Sequence, residues 1–132
     1  MSDVNMESLL RMYDTPFYLL DSAKLHSRID FLRTHLPDEV VLCYAVKANS
    51  FIVKELAGMV ERFEICSPGE CTICQSLGIP PEKFVISGVH KDSAQIKQLV
   101  ADGIKNNAPI GRYTVESTAQ LSLLRETAQS LH

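Results

Sequence analysis

Lys47 closes the run Val40-Val41-Leu42-Cys43-Tyr44-Ala45-Val46-Lys47-Ala48-Asn49, a near-continuous apolar stretch that ends in one amine. Seven residues rich in Val, Leu and Tyr predict a strand over 40–46 buried on both faces, the kind found in parallel sheets. An amine at the C-terminal mouth of such a strand is expected to be poorly solvated, and burial disfavours the charged form of a lysine. A neutral amine is a nucleophile that can form a Schiff base with an aldehyde. A lone lysine at a strand end more often snorkels to water. The residues around Lys47 therefore have to carry the chemical reading.

Two other groups have chemistry-bearing types. Cys71-Thr-Ile-Cys74 is a CxxC with Cys66 nearby. A structural zinc site wants four ligands, and only three cysteines cluster here. Cys71 and Cys74 fall within a helical pattern with Ile73 and Leu77, so ordinary apolar packing is expected and no metal site. A thioredoxin-like pair would open a helix, and these cysteines begin one turn late. His26 and His35 lie nine residues apart on one helix, too far to share a metal, and are expected to be exposed. His90 sits beside Lys91 at the C-terminal end of a strand; its ordinary reading is a loop histidine.

The elements that must position these residues alternate between strand and helix. Pro16 to Leu20 is a short strand candidate. Asp21 or Ser22 caps a helix with Leu25, Ile29, Leu32 and Leu36 on one face, ended by Pro37. After the 40–46 strand, a helix over about 50–60 buries Ile52, Val53, Leu56, Met59 and Val60. Phe63 to Cys66 is a brief strand. Ser67-Pro68-Gly69-Glu70 is a complete helix start, with Ser67 as N-cap, Pro68 in the first turn and Glu70 as capping-box partner. Gly78 and Pro80-Pro81 close that helix.

Phe84 to Ser87 is the next strand. Asp92 or Ser93 caps a helix carrying Ile96, Leu99 and Val100, ended by Gly103. Lys105 to Gly111 is a polar loop with Pro109, and Arg112 to Val115 a short strand. Ser117, with Gln120 three residues on, caps a last helix holding Leu121, Leu124, Ala128 and Leu131. Strand-helix units of this length imply a parallel sheet, because parallel neighbours need a crossover helix. An open flavodoxin-like sheet and part of a (β/α)8 barrel both satisfy that pattern. No GxGxxG or GxxxxGK[ST] occurs, which weakens the open sheet.

Composition bounds the rest. The chain has 132 residues, 45% hydrophobic and 22% charged, a globular balance sufficient for one domain. A net charge of −3 argues against nucleic-acid or anionic-membrane partners. No apolar run reaches the roughly 20 residues of a bilayer span. Met1 to Arg11 carries Asp3 and Glu7 and lacks the basic start of a signal peptide. A cytoplasmic location with reduced cysteines is expected.

Five segments, read in order, resemble the pyridoxal-phosphate decarboxylases of the alanine-racemase-like barrel class, which include the diaminopimelate, ornithine and arginine decarboxylases. They are Thr15-Pro-Phe-Tyr-Leu-Leu-Asp21, Tyr44-Ala-Val-Lys-Ala-Asn49, Phe63-Glu-Ile-Cys-Ser-Pro-Gly-Glu70, Ile86-Ser-Gly-Val-His-Lys91 and Val115-Glu-Ser117. Gly88-x-x-Lys91 and Gly78-Ile-Pro-Pro look most like the diaminopimelate branch. The resemblance implies an α/β fold, a partial TIM barrel of about four strand-helix units forming one incomplete domain over 1–132. It makes Lys47 the lysine that holds pyridoxal 5'-phosphate and sets Glu64 near the cofactor, where many relatives carry Asp. Glu70 matches a family glutamate, although the capping box already explains it.

The resemblance further implies an amino-acid substrate, diaminopimelate or a basic amino acid, for a decarboxylase. It places the phosphate loop and ring-nitrogen partner beyond His132, so the isolated chain is expected to be inactive. An amino-acid racemase, a cofactor-carrier barrel or a non-catalytic truncated remnant are the alternatives. A half barrel exposes two strand edges, so a homo-oligomer is expected.

Overall fold

The computed structural model describes residues 5–108 and 111–131. Asp3 and Pro109, used above, lie outside the described residues. The chain divides into two compact units, Met1–Val40 and Val41–His132.

The first unit holds two helices. Helix α1 (Met6–Met12) is capped by the Asn5 side chain, which accepts from the Ser8 amide at 3.3 Å. Helix α2 (Ser22–His35) starts where Asp21 Oδ1 accepts the Lys24 amide at 3.0 Å, so Asp21 is the cap. Its stripe of Leu25, Ile29 and Leu32 is half-buried, and His26 and His35 are exposed. Residues 16–20, expected as a strand, form none. Tyr18 is fully exposed, and Leu19 and Leu20 are about half exposed. A strand is stable only with a neighbour to complete its backbone hydrogen bonds, and no described strand pairs with this segment.

The second unit is a four-stranded, wholly parallel sheet in the order β1-β2-β3-β4: β1 Cys43–Ala45, β2 Arg62–Ile65, β3 Phe84–Ile86 and β4 Arg112–Tyr113. Strand order equals chain order, and a helix follows each strand: α3 (Val53–Leu56), α4 (Pro68–Ser76), α5 (Ser93–Lys105) and α6 (Thr118–Ser130). Register puts Tyr44, Phe63 and Phe84 on a line, and Ala45, Glu64 and Val85 on the next. Phe63, Ile65, Phe84 and Ile86 are buried with Val53, Leu56, Cys71, Cys74, Ile96 and Leu99 to make the core. Glu64 and Val85, on the opposite sheet face, are only half-buried.

Several expected elements are shorter or shifted. The 40–46 strand reduces to Cys43–Ala45 and is not buried on both faces: Val41 and Cys43 are exposed. β1 pairs with β2 as its one hydrogen-bonded strand among the described residues. The 50–60 helix is a 3₁₀ turn over Ser50–Ile52 and one α turn, although Val53, Leu56 and Val60 are buried as expected. Helix α5 runs two residues past Gly103, which is buried within it. The buried residues of α6 are Gln120 and Thr127, whereas Leu121 is 57% exposed and Ala128 is exposed.

Candidate functional site

Parallel strands bring all their C-terminal ends to one rim, and in barrel and doubly wound folds that rim carries the chemistry. Here the rim gathers the turn after β1 with Lys47, the β2 exit with Cys66 and Ser67, the β3 exit with Ser87 to Lys91, and the β4 exit with Thr114 to Glu116.

Lys47 lies in a 3₁₀ turn, Val46–Ala48, that packs against β2. Val46 anchors the turn with no exposed surface. Tyr44 braces it from the strand, donating its hydroxyl proton to the Asn49 carbonyl at 2.9 Å. Asn49 Oδ1 in turn accepts the Phe51 amide at 3.0 Å. Burial pushes the Tyr44 hydroxyl above its ordinary pKa, so it keeps the proton it donates. The turn is thus fixed while the Lys47 side chain is exposed. The expected burial of this amine is not observed.

Glu64 stands in the middle of β2, in register with Ala45 of β1 and Val85 of β3. Its Oε1 accepts the Ser87 hydroxyl at 3.0 Å, and the Cys66 thiol lies 3.2 Å from that hydroxyl. Residues 64 and 66 share a sheet face by the two-residue alternation of a strand, and Ser87 reaches them from the β3 exit. Ser87 is 7% exposed, a buried polar residue whose hydroxyl is satisfied by these two partners.

Glu70 is committed elsewhere. Its Oε1 accepts the Ser67 hydroxyl at 3.0 Å and its Oε2 the Cys66 amide at 2.9 Å, while the Glu70 amide donates to Ser67 Oγ at 3.3 Å. The capping box accounts for both oxygens.

The β3 exit turns on Gly88, whose φ is +83°. A Cβ there would fall 2.9 Å from the Cys66 carbonyl oxygen, so only glycine lets the two exits approach this closely. Three groups hold the turn: Glu116 Oε1 accepts the Gly88 amide at 3.1 Å, and the Gly88 carbonyl accepts from Lys91 Nζ at 2.8 Å and Gln120 Nε2 at 3.3 Å. Lys91 is 9% exposed and also donates to Gln120 Oε1 at 3.2 Å. His90 is exposed beside it. Cys71 and Cys74 are buried in α4, and burial pushes both thiols up to about 11, which leaves them protonated and inert.

The sequence singles out Lys47 and Glu64, and the structure adds Ser87 beside Glu64. The signal was present. Phe63-Glu64-Ile65-Cys66 and Phe84-Val85-Ile86-Ser87 are parallel neighbours in register, which sets Ser87 across from Cys66. Gln120 was read only as a cap, yet it also gathers the Gly88 and Val89 carbonyls.

The rim thus presents an exposed amine on Lys47 and, on the neighbouring strand, a carboxylate on Glu64 held by the Ser87 hydroxyl. Residues 22–132 match the family described as "Pyridoxal-dependent decarboxylase, pyridoxal binding domain". The diaminopimelate decarboxylase of Aquifex aeolicus is 33% identical over 130 residues, covering 97% of this chain and 29% of that protein. A lysine/ornithine decarboxylase from Selenomonas ruminantium is 31% identical over 99 residues, 74% of this chain and 25% of its own. Among solved structures, the Helicobacter pylori diaminopimelate decarboxylase complexed with L-lysine superposes with a TM-score of 0.78 at 34% identity, covering 96% of this chain and 32% of that one. The chain spans less than a third of the length of these relatives.

Proposed function

The chain belongs to the pyridoxal-binding domain family of the pyridoxal-dependent decarboxylases, and on that premise we propose that it supplies the cofactor-anchoring part of an amino-acid decarboxylase barrel. The family's cofactor is pyridoxal phosphate, and the sheet is a partial (β/α)8 barrel like those of its relatives. Lys47 is the covalent anchor for the cofactor aldehyde. The single observation that carries this reading is the braced turn Val46–Ala48, which holds an exposed amine at the strand rim. Glu64 would accept a hydrogen bond from the cofactor or from the substrate's ammonium. When bound, the cofactor draws off the electron pair left as carbon dioxide departs.

The chain's own residues do the rest. Tyr44 and Asn49 keep the Lys47 turn from drifting, and Ser87 holds one Glu64 oxygen. The relatives' names favour diaminopimelate or a basic amino acid as substrate of the whole protein. An exposed Lys47 leaves the reacting centre open to water, and positioning supplies much of catalysis. The 132-residue chain alone is therefore expected to bind cofactor without releasing carbon dioxide. Its uncovered sheet edges make a second copy of the chain its proposed partner.

Pyridoxal phosphate followed by borohydride reduction tests the anchor. Peptide mapping is expected to find the reduced adduct on Lys47, and Lys47→Ala to lose it with an unchanged circular dichroism spectrum. Equal labelling of the variant on other lysines would overturn the assignment.

A further inference from the structure

We propose that Ser87 is a positioning residue for Glu64, oriented in its turn by Cys66, and that the three form a one-way hydrogen-bond chain feeding the cofactor site. The inference rests on the reading that Glu64 faces the cofactor. An ionised carboxylate only accepts, so the Ser87 hydroxyl spends its single proton on Glu64 Oε1 at 3.0 Å. With that proton committed, the contact at 3.2 Å between Cys66 Sγ and Ser87 Oγ has one polarity: the thiol donates and the hydroxyl accepts. Thiol, hydroxyl and carboxylate line up in that order across the β2 and β3 exits.

The chain has a directional consequence. Ser87 is buried and its amide donates to the Ile65 carbonyl at 2.8 Å, which fixes the backbone that carries the hydroxyl. Oε1 is therefore pinned toward β3. Oε2 accepts no hydrogen bond among the described residues and is the oxygen left to receive an N–H or a cation brought by a ligand. A glutamate arm has one more rotatable bond than aspartate, and pinning one oxygen recovers the order that the longer arm gives up.

Pyridoxal phosphate titration of the whole chain, read by visible absorbance and by borohydride-trapped adduct on Lys47, tests the chain residue by residue. Ser87→Ala and Ser87→Val are expected to weaken half-saturation about tenfold, the effect of losing one hydrogen bond to a charged group. Ser87→Thr, which has the shape of valine but keeps the hydroxyl, is expected to stay within about twofold of the parent. Combining S87A with E64A is expected to cost little more than E64A alone, because E64A already removes the acceptor of the Ser87 hydroxyl. A purely structural serine would give additive losses instead.

A Lys47-dependent signal that is indifferent to S87A and S87V overturns this inference and leaves the anchor standing. Additivity of S87A with E64A overturns it too, as does loss of the folded spectrum in both hydroxyl-free variants. Absence of any cofactor signal in the parent chain removes the anchor reading and this inference with it.

Discussion

Single residues in this chain show how burial decides chemistry. Cys71 and Cys74 have the spacing of a redox or metal pair, yet both thiols are pushed up to about 11, chiefly by burial, with Cys71 and Glu70 adding to the rise at Cys74. The consequence for stability has a definite sign. Both folded thiols hold their protons to a higher pH than unfolded thiols, whose ordinary value is 9.0. Above about pH 9 the unfolded chain binds fewer protons than the native one, so stability falls as pH rises toward 11. Urea midpoints are expected to be level between pH 7 and about 8.5 and to decline through that window. Thr127 is the converse case. It is 1% exposed and its hydroxyl has no hydrogen-bond partner among the described residues. Thr127→Val keeps the shape and removes the unpaired group, so a gain of about 1 kcal/mol is expected in chemical denaturation. A loss of similar size would show that the hydroxyl is satisfied in solution.

At the scale of elements, the helix starts were legible and the buried faces only partly so. Ser67, Asp92 and Ser117 each accept the amide three residues on, as the sequence suggested. A cap is a contact between near neighbours in the chain, so local sequence contains all of it. Ser67→Ala is expected to cost about 1 kcal/mol, measured by thermal or urea unfolding, with Ser67→Asp recovering most of it. Helix α6 was read by its leucines, but Gln120 turned inward because carbonyls 31 and 32 residues away accept its amide. Those partners belong to the β3 exit and have no trace in the helix's own pattern. The same holds for Lys47. Its flanking residues suggest its role, while its exposure is a property of the folded turn and not of the run 40–46.

At the scale of the whole sheet, β1 and β4 each have a strand neighbour on one side only among the described residues. Large apolar side chains stand exposed near the rim, Phe51 and Val89 at 85% and Val115 at 48%. Unpaired strand edges beside exposed apolar groups favour association. Light scattering across micromolar concentrations is expected to show a mass that rises above the 14.7 kDa of one chain. A constant single-chain mass would remove the second copy from the proposed partners. Among the described residues no helix is long and apolar enough to cross a membrane.

The order of the strands also bears on how such a sheet comes into being. Every ladder joins a strand to the one made just before it, across 19, 21 and 27 residues (Cys43 to Arg62, Phe63 to Phe84, Val85 to Arg112). No strand waits for a later one to be inserted between it and its neighbour. A chain emerging from the ribosome can therefore lay down the sheet as it is synthesised, each new strand docking on a finished edge at the modest loop-closure cost of a short crossover. The growing front is always a single edge, and stopping after any strand-helix unit leaves the earlier ladders whole.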